Sequence, residues 1–147
     1  MSEESKELVR RSIDAQNDEG PASIDRFYAA EWIGWDSRDG SKSGREDLKK
    51  ESAVILSGFP DARVVIEDLV AEGDRVASRM TISGTHTKKS DTYGDVPTGK
   101  RITFAIIAID RVANGKIVES WSETTGLGFH YQLTGKPAPS LKQPASG

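Results

Sequence analysis

The chain has 147 residues, with 20 Lys+Arg against 23 Asp+Glu and a formal net charge of −3. That is the length of one compact domain. The absence of cysteine excludes disulfides, thiol nucleophiles and thiolate metal sites, and two histidines are too few for a zinc site built on imidazoles alone. Mild acidity without a Lys/Arg stripe argues against a nucleic-acid partner, no apolar stretch approaches the roughly 20 residues of a membrane span, and the acidic N-terminal segment reads as no secretory signal, so a soluble cytoplasmic domain is expected.

Residues 4–17 read as a helix, with Leu8, Val9, Ser12, Ile13 and Gln16 on one narrow face, ended by Gly20 and Pro21. Ser23 caps a second, short helix that carries Ile24, Phe27 and Tyr28. Residues 31–36 alternate aromatic and small or polar side chains, as a short half-buried strand or a pocket rim does. Residues 37–44 read as loop, and 45–56 as a third helix with Leu48, Ser52 and Ile55 inward. The period then changes to two. Residues 62–69, 75–87, 100–112 and 116–124 are strands rich in Val, Ile, Thr and Phe. Asn114-Gly115 between the last two is a strong hairpin signal. Residues 88–99 form a long polar loop, and 136–147 a tail expected to be disordered beyond a single domain at 1–135. Helices first and a meander afterwards predict an α+β fold: a cone-shaped α+β barrel of three N-terminal helices on a strongly curved mixed or antiparallel sheet, enclosing an interior.

In the last strand, strict alternation puts Ile117, Glu119, Trp121, Glu123 and Thr125 on one face. A carboxylate in an interior must be paired, solvated, or raised in pKa and so available as an acid or base. Glu119 has a plain alternative in an ion pair with Arg79 or Arg111, and Glu123 in contact with water. His86 shares the parity of Val76, Met80 and Ile82, the apolar face of its strand. It could simply bond to backbone there, but it is the natural carrier of proton transfer near neutral pH, with Glu123 or Asp36 as candidate partner. His130 reads as a surface residue. Trp35 and Trp121 offer flat apolar walls, and Tyr93 sits in a loop that is either a lid or disordered.

The runs Phe59-Pro-Asp-Ala-Arg63, Glu67 to Val76, Gly84-Thr-His-Thr87, Pro97 to Arg101 and Gly115 to Glu119 with Trp121 resemble the SnoaL-like polyketide cyclases of the nuclear-transport-factor-2-like superfamily, as do Leu127-Gly128 and Gln132-Leu133. The likeness spans residues 6–135. It implies the same cone, usually dimerised through the sheet's outer face. In the aldol cyclases of this family a carboxylate near the end of the last strand is the general acid/base. That position is Thr125 here, which cannot do the job, and a histidine common after the second helix is Trp35. The resemblance, so altered, implies a cofactor-independent and metal-free cyclase of a polyketide-like, apolar secondary-metabolite intermediate. Ring closure would be acid/base-assisted or driven by proximity, as in pericyclic, conjugate-addition or epoxide-opening closure. His86, Glu123 and Glu119 would be catalytic, and Trp35, Trp121, Tyr93, Thr125, Met80 and Asp36 would line the pocket. The alternatives are an epoxide hydrolase, marked by a water-filled carboxylate-lined cavity, and a non-catalytic small-molecule-binding dimer, marked by a filled cone.

Overall fold

The computed structural model describes residues 2–36, 39–124 and 128–136. Helix α1 (Ser2–Glu19) turns Ser5, Val9, Ser12 and Ala15 inward; these small side chains let it lie close on the sheet. It stops at Gly20, whose φ of +85° suits glycine. A 3-10 turn (Pro21–Ser23) leads into the single-turn helix α2 (Ile24–Phe27), which buries Ile24 and Phe27 and runs directly into strand β1 (Tyr28–Asp36). After the short β2 (Lys42–Gly44), helix α3 (Arg45–Gly58) opens with Asp47 accepting the Gly44 amide at 2.9 Å. Strands β3 (Arg63–Glu72), β4 (Arg75–Thr85), β5 (Arg101–Ala113) and β6 (Lys116–Thr124) form the meander, followed by α4 (Gly128–Thr134).

The six strands lie in the order β2-β1-β6-β5-β4-β3, antiparallel except that β1 runs parallel to β6. The α+β architecture, with helices on a mixed, unclosed sheet, is the one expected. Three local readings are corrected. Strand β1 begins at Tyr28, and β2 lies in a segment read as loop, because the strand pairings that hold both are long-range. Helix α4 was not expected; it is held by Phe129, which stacks on Phe59 at 4.3 Å and meets Phe104 edge-on at 4.9 Å. Residues 137–147, the segment read as a tail, lie outside the described residues.

Two apolar clusters fill opposite ends of the space between helices and sheet. One gathers Val9, Ile24, Phe27, Tyr28, Trp32, Val76 and Ile117. The other gathers Phe59, Ile82, Tyr93, Ile102, Phe104 and Phe129. Among the described residues, no helix is long and apolar enough to cross a membrane.

Candidate functional site

Directly paired residues on neighbouring strands share a face of the sheet. One row on the concave face runs Ser43, Gly34, Ser120, Asp110, Val76. The next runs Asp36, Ser122, Ala108, Ser78, and the one after it Thr124, Ile106, Met80. Three more steps in the line of β4, past Ile82 and Gly84, reach His86 just beyond the strand's end. The concave face thus carries a polar layer between the two apolar clusters and an imidazole at one end.

His86 is fully buried. Its backbone continues the β4–β5 ladder, donating to the Lys100 carbonyl at 2.9 Å and accepting from Gly99 at 2.8 Å, so the ring is held at the end of a strand. The Thr98 amide donates to Nδ1 at 3.1 Å, with the Thr98 hydroxyl 3.0 Å from the same nitrogen. A ring nitrogen that accepts from a backbone N–H carries no proton, so in the neutral ring the proton resides on Nε2. Nε2 is buried without a hydrogen-bond partner among the described residues. Its surroundings are rings: Phe59 at 5.3 Å and Tyr93 at 6.3 Å between centroids. An unpaired buried donor costs about 1–3 kcal/mol. The Tyr93 ring packs edge-on against Phe59 at 5.0 Å and fills the place a Cβ on Gly58 would need, 2.5 Å from its ring. Burial pushes its phenol up to about 12.

In the polar layer, Asp110 is buried and its carboxyl accepts a hydrogen bond from Ser120 Oγ. Ser120 Oγ in turn accepts from the Trp32 indole at 3.0 Å. Trp32 reaches this position because residue 34 is glycine: a Cβ there would lie 2.4 Å from the indole edge. Burial raises the Asp110 carboxyl to about 6, only partly offset by the Ser120 hydroxyl, which favours the charged form. The buried Tyr28 phenol faces Asp110 and is raised by burial and by that carboxyl. In the neighbouring row the buried Ser78 hydroxyl has no partner among the described residues. Ser122 and Thr124, on the same concave face, are exposed, so the layer reaches solvent along the end of β6. Among the described residues no group of three or more His, Asp or Glu side chains could hold a metal ion.

A family model of SnoaL-like polyketide cyclases matches residues 6–133. The chain belongs to that family. The solved structure of AclR from Streptomyces galilaeus, a proposed hydroxylase, is similar with a TM-score of 0.80 at 24% identity, covering 96% of this chain and 87% of that one. IdmH from Streptomyces antibioticus, a proposed polyketide cyclase, gives 0.75 at 22% identity over 90% and 99%. A protein with a ketosteroid isomerase-like fold from Catenulispora acidiphila gives 0.67 at 17% over 89% and 94%. At these identities the likeness concerns the fold. No protein of curated function matches the chain in sequence.

Within this SnoaL-like cone the structure brings together only part of the expected site. Met80 and His86 are interior, as their parity predicts, and Asp36 and the loop residue Tyr93 are buried as well. Glu119, Trp121, Glu123 and Trp35 are not with them, and their expected place in the pocket is corrected. Val112 pairs with Ile117 but Arg111 pairs with Glu119, so β6 holds one extra residue, Val118. That bulge reverses the alternation. Ile117 stays inward, while Glu119, Trp121 and Glu123 face outward beside Arg111, Ile109 and Ile107. Trp35 pairs with Trp121 and shares that outer face. There Glu119 accepts from the Trp35 indole at 2.8 Å and from Arg111 at 3.0 Å, which hold it below its usual range, the indole first. The ion pair with Arg111 is the plain reading of Glu119. Arg75 lies 4.9 Å over the Trp121 ring. Thr125 and the His130 side chain lie outside the described residues. Asp110 was missed, although its parity with Ile102, Phe104 and Ala108 places it inside.

Proposed function

We propose that this SnoaL-like chain is a cofactor-independent cyclase of a polyketide-like intermediate, closing a ring in the cone with His86 as hydrogen-bond donor to a substrate carbonyl. The observation that supports it is the buried, unpartnered Nε2 of a ring whose other nitrogen is held as acceptor. A donor fixed in advance in a dry site stabilises the oxyanion that develops when a carbonyl is attacked. His86 therefore polarises and does not serve as base at Nε2. Apolar walls at this end come from Phe59, Tyr93 and Phe129, which would hold the chain folded for proximity-driven closure. Entry at this end requires the Tyr93 ring to leave its seat beside Gly58, which makes residues 88–99 the lid.

The close ring packing around His86 favours a second reading, a non-catalytic small-molecule-binding protein. One experiment separates the two. The protein is incubated with a poly-β-ketone chain made by a minimal polyketide synthase, and cyclised products are followed by mass spectrometry. The cyclase reading expects a changed product pattern that His86→Phe abolishes; an unchanged pattern with the wild-type protein sinks it in favour of the binder.

We further infer a homodimer through the outer sheet face. Val70, Ile107 and Ile109 are 67%, 48% and 39% exposed there, beside Trp35 and Trp121. Ile107→Glu should turn a sedimenting dimer into a monomer; a monomeric wild type ends this assignment.

A further inference from the structure

The donor at His86 leaves a gap in the chemistry, because ring closure through a carbon acid also needs a base. On the concave face the buried Asp110 carboxyl accepts a hydrogen bond from one neutral hydroxyl, Ser120 on β6, and the buried Ser78 hydroxyl, without a partner among the described residues, lies diagonally across from it on β4. Two features separate this arrangement from a structural carboxyl. A structural buried carboxylate is expected to be paired with a cation or saturated with donors; among the described residues no guanidinium or ammonium bears on Asp110, and burial is the main influence on it. The Ser78 hydroxyl, 2% exposed, pays the desolvation cost of an orphaned group in the same layer.

We propose that Asp110 is a second catalytic residue of the cone, a base that takes a carbon-bound proton from a ligand while the Ser78 hydroxyl receives the ligand's oxygen. Ser120 and Trp32 are positioning residues: the indole donates to Ser120, and Ser120 donates to the carboxyl, which fixes the oxygen that stays bonded and leaves the other for the ligand. The ligand class is a planar, largely apolar carbon acid with an adjacent oxygen, as in an enolisable ketone. The proton passes to the carboxylate, the C–H electron pair becomes the enolate, and the negative charge settles on the oxygen facing Ser78. The inference rests on the proposed cyclase reading only in supposing that the cone admits a ligand.

The groups that face Asp110 are few. Strand β1 contributes the Tyr28 phenol and, one row away, Asp36; β4 contributes Val76 and Ser78; β6 contributes Ser120; Ser12 and Gln16 of α1 act on the Tyr28 phenol, favouring its charged form. None of these is a cation. The base is active when ionised, so its rate should rise as pH passes through about 6 and then level off.

The test uses nitrobenzisoxazole, a chromogenic apolar carbon acid, with the full chain. A carboxylate removes its carbon-bound proton, the C–H pair forms the nitrile, the N–O bond breaks, and its electron pair stays on a coloured phenolate. Wild-type protein should accelerate this elimination. Asp110→Asn should lower the rate by about 100-fold, the low end for general-base catalysis. Ser120→Ala should move the pH midpoint upward, because the lost hydroxyl favours the charged form. Ser78→Ala should lower the plateau without moving the midpoint, and Glu119→Gln, on the opposite face, should change neither. A parallel carbon-13 titration of the Asp110 carboxyl reads the same midpoint without any ligand. An Asp110→Asn protein as fast as wild type, or a Ser120→Ala midpoint that stays put in both measurements, overturns the proposal. Elimination absent while poly-β-ketone cyclisation persists overturns the role of Asp110 and spares His86; elimination intact with no cyclisation does the reverse.

Discussion

Asp110 and Glu119 lie on adjacent strands one residue out of register, yet their carboxyls are pushed in opposite directions. Asp110 looks into the cone, where burial raises it to about 6. Glu119 looks outward, where an indole N–H and a guanidinium lower it. The same sheet thus supplies two environments a single peptide apart. The side chain's face, more than its identity or its distance along the chain, decides whether a carboxyl becomes a reactive group or a surface clasp.

The contrast between the two faces can be pushed hardest by packing. Phe59→Ala removes a fully buried ring that touches His86, Tyr93 and Phe129, and should cost about 4 kcal/mol of stability. Ile107→Ala on the convex face should cost under about 1 kcal/mol at concentrations where the chain is monomeric. Urea titrations of both variants check the difference; equal losses would mean that the outer face is as well packed as the inner.

Next in size is Asp110→Asn. The folded protein holds the Asp110 proton above the ordinary carboxylate range, so between about pH 4 and pH 6 it binds more protons than the unfolded chain, and its stability falls as pH rises through that window. Removing the charge should therefore stabilise the protein at pH 7 by up to about 3 kcal/mol, with the gain vanishing below about pH 4. Thermal denaturation across pH reads it. A destabilised Asn variant at neutral pH would show that the carboxylate is better satisfied than burial implies.

Glu119→Gln has the opposite sign and a smaller size. A lowered carboxyl stabilises the fold above its unfolded pKa and loses that contribution as pH falls through the lower folded value. Loss of the Arg111 and Trp35 contacts, partly screened by solvent, should cost about 0.5–1 kcal/mol at pH 7 and nothing well below pH 4. A null result at pH 7 would reduce the outer clasp to decoration.

The cone was legible in the sequence because the change from helical to alternating period falls near residue 60, and Asn114-Gly115 marks a hairpin. Strand β4 was legible residue by residue: its alternation runs unbroken from Val76 to His86, so Met80 and His86 were placed correctly inside. Strand β6 was not. Val118 is one more aliphatic residue in the sequence, with nothing to mark it as the inserted residue of a bulge, and the positions from Glu119 to Glu123 therefore read onto the wrong face. Strand β2, the parallel pairing of β1 with β6, and α4 depend on contacts across the chain that no local pattern announces. Asp110 could have been found by carrying the β5 alternation one step past Ala108.

The contact that polarises His86 comes from the main chain of residue 98, and the side chain there only adds to it. Every amino acid except proline brings that N–H with it. The loop can drift widely in composition while the imidazole keeps its orientation and its proton, and a proline at 98 would free Nδ1, turning a fixed donor into a ring able to accept.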